Sequence, residues 1–309
     1  MKVVQINTFP TKATGGIMMN IHKVLLEKKY DSFVVWGRGR KPITNNELSI
    51  YDSLGVKLHG MLTRLTDKTG FFSYRATIKL LKKLDDIKPD IIHIHNLHGY
   101  YVNINMLFDY IKKHNINVVM TLHDCWCFTG HCAYFDKIGC KKWINGCKRC
   151  PQKNTYPASW FIDCSKSNWI SKRSLFSYER MTLVTPCIWL KDVVQKSFLS
   201  MHDIKVINNG IDLEVFKYRK SDFRMQYEIN NRFMILGVAS EWTDRKGFKD
   251  FIKLSEVLDD KDYVIVLVGL TKKQKKKIPS NIIGLLRTEN IEKLVEIYSA
   301  ADVYFNPTY

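Results

Sequence analysis

Four cysteines in one stretch of the chain have a spacing suited to metal binding: Cys132, Cys140, Cys147 and Cys150 run as Cys-x7-Cys-x6-Cys-x2-Cys. A Cys-x2-Cys turn offers two thiolates to one point, and two more complete a tetrahedral structural zinc site with no open position for catalysis. His131, Cys125 and Cys127 are reserve ligands by proximity. Unligated thiols fit the same spacing, and so do disulfides, which a cytoplasmic location disfavours. Cys164 and Cys187 read as plain thiols. Three further segments carry phosphate chemistry. Pro10-Thr-Lys-Ala-Thr-Gly-Gly-Ile17 follows an apolar run and opens a helix. Gly15 and Gly16 there would let backbone N–H groups approach an anion that the helix dipole favours, although any tight strand-to-helix turn uses such glycines. Asn208-Asn-Gly-Ile-Asp212, with Phe216 after it, ends another strand. Gly237-Val-Ala-Ser-Glu-Trp-Thr-Asp-Arg-Lys-Gly247 puts Arg245 and Lys246 at a strand end, where they neutralise a diphosphate or form a solvated basic loop.

The elements that must hold these residues alternate as βα units. Strands are expected at Lys2 to Ile6, Phe33 to Trp36, Ile91 to His95, Val118 to Leu122, Thr182 to Thr185 and Lys205 to Ile207. Helices are expected near Ile17 to Glu27, Tyr74 to Leu84, Ile104 to His114 and Leu190 to Phe198. The pattern restarts after Tyr218, with strands at Phe233 to Val238, Tyr263 to Val268, Ile282 to Leu286 and Asp302 to Phe305. Helices near Phe248 to Leu258 and Ile291 to Ala300 separate them. The expectation is α/β: two tandem Rossmann-like, doubly wound domains, residues 1–217 and 218–309, facing across a cleft at their strands' carboxyl ends. A complete half of this kind has about six strands, so the second domain reads as cut short. Residues 37–72 read as a mobile loop or small insertion with a weakly amphipathic stretch from Val56 to Leu65. Residues 123–181, rich in Cys, Trp and Lys, are too long for an ordinary connection. Lys272 to Lys277 reads as a solvated helix end.

The length is 309 residues, with 45% hydrophobic and 25% charged residues. Those proportions exclude a disordered chain, a collagen and a disulfide miniprotein. No apolar run reaches the roughly 18 residues of a membrane span, and the start reads as a strand, not a signal peptide. The net charge is +18, and up to residue 218 there are 32 Lys and Arg against 17 Asp and Glu. Such an excess seeks polyanions: nucleic acid, an anionic membrane or a phosphorylated substrate.

Taken in order, the motifs resemble one family, the GT4 glycosyltransferases of the GT-B fold, near the capsule, exopolysaccharide and colanic-acid enzymes. The matching pieces are Gly15-Gly16, Pro89-Asp-Ile-Ile-His-Ile-His-Asn-Leu-His98, Val119-Met-Thr-Leu-His-Asp124, Asn209-Gly-Ile-Asp212, Arg245-Lys-Gly-Phe248 and Tyr298-Ser-Ala-Ala-Asp-Val-Tyr-Phe-Asn-Pro-Thr308. The resemblance implies that Gly16 lies beside the donor diphosphate and that Gly15 shapes the turn. His123 would sit near the transferred sugar with Asp124 beside it; a lone histidine there otherwise reads as a core residue. Lys246 would bind the donor phosphates and stabilise the leaving nucleoside diphosphate. Gly284 to Asn290, including Arg287 and Thr288, would line the nucleobase pocket. An arginine that pairs with the lysine in the family falls, by spacing, on Ser240, which leaves either Arg245 to compensate or a weaker phosphate contact. Family members continue into a Glu-x7-Glu motif beyond residue 309.

The implied reaction is retaining transfer of a hexose from a nucleotide sugar to a saccharide acceptor in surface polysaccharide assembly. No catalytic metal is implied, and zinc would be structural. The acceptor would be lipid-linked, held by a cytoplasmic protein peripheral to the inner face of the membrane. Arg64, Lys68, Arg75, Lys79, Lys82 and Lys83, interleaved with Leu58, Met61, Leu62, Leu65, Phe71 and Phe72, form the candidate lipid-facing surface or an ordinary solvated face. Two other readings stand beside this one. The first is a truncated, inactive remnant that binds a nucleotide or a partner. The second is a zinc-stabilised nucleic-acid-binding module, which the tandem βα pattern opposes; no nucleic-acid partner is expected.

Overall fold

The computed structural model describes residues 1–288 and 290–308. The chain divides into two compact units, Met1–Gly210 and Ile211–Tyr309. The division therefore falls before the expected 217/218, and the connecting stretch is tied to the second unit, where Arg219 N donates to Ser299 Oγ (3.1 Å).

The first unit runs β1 (Lys2–Asn7), α1 (Lys12–Glu27), β2 (Asp31–Trp36), β3 (Glu47–Ser49), α2 (Ser53–Thr66), α3 (Tyr74–Ile87), β4 (Ile91–Ile94), α4 (Ile104–Lys113), β5 (Asn117–Thr121), α5 (Ser165–Phe176), β6 (Met181–Thr185), α6 (Ile188–Val194) and β7 (Asp203–Val206). Its strands form one sheet in the order β3-β2-β1-β4-β5-β6-β7, and every neighbouring pair is parallel. The strands are short continuous apolar runs because a parallel sheet is covered on both faces. Val4, Ile6, Ile92, Ile94, Met120 and Leu183 are fully enclosed, packed by Leu80 and Leu84 of α3 and Leu107 and Phe108 of α4. Chain order reverses between β1 and β4, the switch point at which such sheets open a crevice.

The second unit runs α7 (Phe223–Gln226), β8 (Phe233–Val238), α8 (Phe248–Val257), β9 (Tyr263–Leu270), α9 (Lys272–Lys275), β10 (Ile282–Leu286), α10 (Ile291–Ala300) and β11 (Val303–Tyr304). Among the described residues its sheet has four parallel strands, ordered β10-β9-β8-β11. Alternate residues enter two cores: Met234, Leu236, Val264 and Val266 meet Ile297 on one face, and Ile235, Ile265 and Leu267 meet Phe251 and Trp242 on the other. Here the switch point lies between β8 and β11.

Several expectations need correction. Helix α1 begins at Lys12, so Gly15 and Gly16 lie inside it instead of ahead of it. Of the two readings of residues 37–72, the small insertion holds, and the amphipathic stretch from Val56 to Leu65 lies within a helix. These residues hold β3, which extends the sheet past β2, and α2, capped by Asp52 accepting from Gly55 N. The segment 123–181 contains a twelve-residue helix, α5. The helix expected to Phe198 stops at Val194, and a 3-10 turn covers Phe198–Met201. Lys272 to Lys277 does form a short exposed helix, started by a capping box between Thr271 and Gln274.

Candidate active site

The switch point of the first sheet is crossed by side chains from three strand ends. Asn7, the last residue of β1, is fully buried. Its Oδ1 accepts from Thr8 N (2.8 Å) and Asn96 N (3.4 Å), while its Nδ2 donates to Phe9 O and Thr14 Oγ1. This ties the loop entering α1 to the end of β4. Gly15 is required by that closeness, since a Cβ there would lie 2.6 Å from Phe9 O. Gly16 faces open space.

Beyond β4 and β5 stand two paired imidazoles. His95 Nδ1 lies 3.0 Å from His123 Nε2, and His95 Nε2 lies 3.4 Å from Gln5 Oε1. An amide oxygen only accepts, so His95 carries its proton on Nε2 and its Nδ1 takes one from His123 Nε2–H. His123 Nδ1 is then left with a lone pair. Burial lowers the basicity of all three neighbouring imidazoles. His93 is pushed down to about 4 by burial, with His123 adding. His95 lies well below its ordinary value through burial, His93 and His123. His123 is lowered by burial first, against the opposing pull of Asp124. The array is neutral at neutral pH and can exchange hydrogen bonds with a hydroxyl without bringing a charge.

Asp124 supplies the charge instead. Its Oδ2 accepts from His98 Nε2 (2.8 Å) and its Oδ1 from Trp126 N (2.9 Å). Burial alone would raise this carboxyl, but His98 and the Trp126 N–H hold it below the usual carboxylate range. His98 Nδ1 is met by the Tyr156 hydroxyl at 3.0 Å. Tyr156 belongs to the segment 123–181, so that segment supplies part of the site's wall.

The same segment folds around its cysteines. Cys132, Cys140, Cys147 and Cys150 line one small void of about 10 Å³ with Thr129, His131 and Trp143. Among the described residues, no group of three or more His, Cys, Asp or Glu is arranged to hold a metal ion. The reserve ligands are occupied elsewhere. His131 uses Nδ1 on Asp67 and Nε2 on Thr155 O (3.3 Å), and Cys125 and Cys127 are buried away from the void's lining.

In the second unit, Thr243 caps a 3-10 turn, Asp244–Lys246, just past β8. Gly247 follows at φ +75°, where a Cβ would meet the Pro307 ring at 2.4 Å. This places Lys246 at the second switch point, beside the residues that follow β11. Lys246 is half-buried, and burial, with Arg245 next, lowers its ammonium's basicity. A cation so placed gains from an arriving phosphate. Arg287 and Thr288, after β10, line an open cavity of about 510 Å³ with Tyr227, Lys275, Lys293 and Asn290. Ser240 is exposed, and neither it, Arg245 nor Lys246 is among that cavity's walls. Of the expected nucleobase segment, Glu289 lies outside the described residues, as does Tyr309, just past the last motif.

The sequence motifs assign roles to His123 and Asp124 and none to Gln5, His95, His98 or Tyr156, which hold them. A signal was present for two: His93-x-His95-x2-His98 at a strand's carboxyl end is an unusual density of imidazole. Nothing in the local sequence ties Gln5 or Tyr156 to them.

A family model for Glycosyltransferase Family 4 matches residues 17–215. A relative described as a colanic acid biosynthesis glycosyl transferase, WcaC, from Escherichia coli K12 is 28% identical over 229 residues, covering 69% of this chain and 55% of its own. The chain spans about half the length of the curated relatives it matches, 55% in each case. Among solved structures, sucrose-phosphate synthase from Thermosynechococcus elongatus superposes with a TM-score of 0.66 at 12% identity, over 100% of this chain and 75% of that one. The Anabaena protein Alr3699/HepE, solved in complex with UDP, superposes with a TM-score of 0.57 at 14% identity, over 98% and 73%. These likenesses show the fold to be GT-B.

Proposed function

The chain belongs to glycosyltransferase family 4, and from that premise we propose that it is a retaining hexosyltransferase. It takes a hexose from a nucleotide-diphosphate sugar and gives it to a saccharide acceptor in surface polysaccharide assembly. The observation that carries the reading is the pairing of His95 with His123 and of His98 with Asp124 at the first sheet's switch point. That pairing leaves a neutral imidazole nitrogen, His123 Nδ1, able to accept from a sugar hydroxyl. The second unit brings the phosphate chemistry. Lys246 binds the donor diphosphate, with Arg245 in support, and Arg287 and Thr288 face the nucleotide. UDP in the Anabaena relative makes UDP sugars the first donors to try.

In the proposed step, the bond between the anomeric carbon and the phosphate oxygen breaks as the acceptor oxygen bonds to the same face. The acceptor proton leaves with the phosphate oxygen. Charge grows on that oxygen, and Lys246 meets it, so no catalytic metal is needed; electrostatic stabilisation of this kind dominates catalysis in many enzymes. What is left to the chain is alignment.

The acceptor is lipid-linked in this reading. Helix α2 exposes Leu54, Leu58 and Met61 at helical spacing, and Trp160 and Phe161 are exposed nearby. Trp160 N is bonded to Arg64 O at 2.7 Å, which sets this aromatic pair beside α2. Leu62, Leu65, Phe71 and Phe72 are half-buried and contribute less. Among the described residues no helix is long and apolar enough to cross a membrane, so the proposed association is peripheral, at the cytoplasmic face.

A thermal-shift panel of nucleotide sugars, followed by turnover with the stabilising donor and NMR of the product's anomeric configuration, tests the reading. Lys246→Ala is expected to keep the fold and lower turnover about 10²- to 10³-fold, as when one charge-stabilising group is removed. Stabilisation by no nucleotide sugar, or an inverted product, overturns it.

A further inference from the structure

We propose that Cys132, Cys140, Cys147 and Cys150 bind one structural zinc ion that fixes the segment carrying Tyr156 against His98. Four thiols from well-separated positions line one void of about 10 Å³, roughly the room that a single small occupant needs. Trp143, which lines the void, is held by ring contacts behind it: it stacks on Phe135 at 4.9 Å and meets Phe128 edge-on at 5.4 Å. Cys132 is buried and Cys140, Cys147 and Cys150 are half-buried around it.

The surroundings are those of metal thiolates. Gly130 N donates to Cys147 Sγ at 3.2 Å. Outer N–H donors of this kind orient ligands and hold their charge. Gly130 has no alternative there, because a Cβ would lie 2.0 Å from Ser165 O and 2.8 Å from Cys147 Cβ. Lys172 is buried beneath the cluster, its Nζ donating to Trp126 O (2.8 Å) and Thr129 O (3.0 Å). Burial lowers its ammonium to about 7, with Cys127, Cys147 and Cys132 opposing that fall. Four thiolates around Zn²⁺ carry a net charge of −2, which an adjacent ammonium partly balances. Nitrogen ligands do not compete, since both ring nitrogens of His131 are committed.

The thiols ring the void without being drawn onto one centre, so the ion draws them in. Each Sγ–H gives its proton to solvent as its bond to zinc forms, and affinity therefore falls as pH falls. With four protein ligands the ion has no open position and takes no part in glycosyl transfer. Its effect reaches the site through the chain, because Tyr156 follows Cys150 closely and bonds His98.

The test is metal analysis of the purified chain by mass spectrometry, repeated after chelation and add-back of Zn²⁺ or Co²⁺. One zinc per chain is expected, with Co²⁺ giving the strong thiolate charge-transfer and visible bands of a tetrahedral sulfur site. Cys147→Ser and Cys150→Ser are expected to lose the metal, and Cys187→Ser to retain it. Because the first two variants can also misfold, hydrogen exchange on the unaltered chain is the companion measurement. Chelation is expected to raise exchange in 128–160 and leave β8 to β10 unchanged. No metal with all four thiols freely titratable overturns the proposal, as does a disulfide among these cysteines in freshly purified protein.

Discussion

The role proposed for His123 depends on where its neighbours place its proton. Gln5 Oε1 fixes His95, and His95 fixes His123, so in the proposed reaction two buried groups set which nitrogen meets the acceptor. The same burial has a stability signature. In the unfolded chain these histidines titrate near about 6.5; in the fold burial pushes His93 down to about 4 and holds His95 well below its ordinary value. Between those values the unfolded state binds protons that the native state refuses. Stability is therefore complete above about pH 6.5 and is lost as pH falls, with a slope approaching about 1.4 kcal/mol per pH unit for each histidine. Asp124, held below the carboxylate range, adds its own loss only below about pH 4. The expected outcome is a denaturation midpoint several degrees lower at pH 5 than at pH 7, with the drop reduced in His93→Gln. An unchanged midpoint would show that these imidazoles accept protons in the fold.

At the scale of elements, the two switch points depend on close approaches between loops. Gly269, at the end of β9, has φ +95°, and a Cβ there would lie 1.7 Å from Ala239 O, on the loop leaving β8. Gly269→Ala thus combines a left-handed conformation with a backbone clash. It is expected to destabilise the second unit by about 3 kcal/mol or more, read as faster amide exchange in β8 and β9 with β1, β4 and β5 unchanged. Helix α5 shows why one element is not legible in the sequence. Its buried stripe includes Asn168 and Lys172 beside Trp169, Leu175 and Phe176, because Asn168 donates to Asp67 O and Gly130 O and Lys172 to two more carbonyls. A helix that packs by hydrogen bonds carries no apolar period to detect. Helix α2, whose buried residues are His59, Gly60 and Thr63, is legible only as a weakly amphipathic stretch from Val56 to Leu65. Apart from β3 (Glu47–Ser49), a short polar edge strand, the strands of both sheets are legible as apolar runs to within one or two residues.

At the scale of the whole molecule, the charge is unevenly spread: 32 basic against 17 acidic residues up to position 218, and 16 against 13 after it. With the exposed Leu54, Leu58 and Met61 of α2, this predicts binding to anionic lipid vesicles driven by charge and apolar contact together. In sedimentation assays, binding is expected at about 0.1 M salt, where the screening length is about 10 Å, and to be largely lost near 1 M, where it is about 3 Å. Leu58→Asp is expected to weaken it at either salt. Absence of binding at the lower salt would remove the lipid-facing role of α2.

The amino-acid sequence by itself determined the α/β class, the two sheets and the order of the family motifs, because hydrophobic period, glycine at tight turns and local spacing are all properties of neighbouring residues. Tertiary structure alone decided which groups meet. Gln5, His95 and His123 come from three strands, Tyr156 arrives from a long segment without strands, and the four cysteines share a void across the fold of that segment. Such contacts join residues separated by up to 90 positions. A proton's location or a ligand set follows from distance in space, and the linear sequence contains that distance only through the fold.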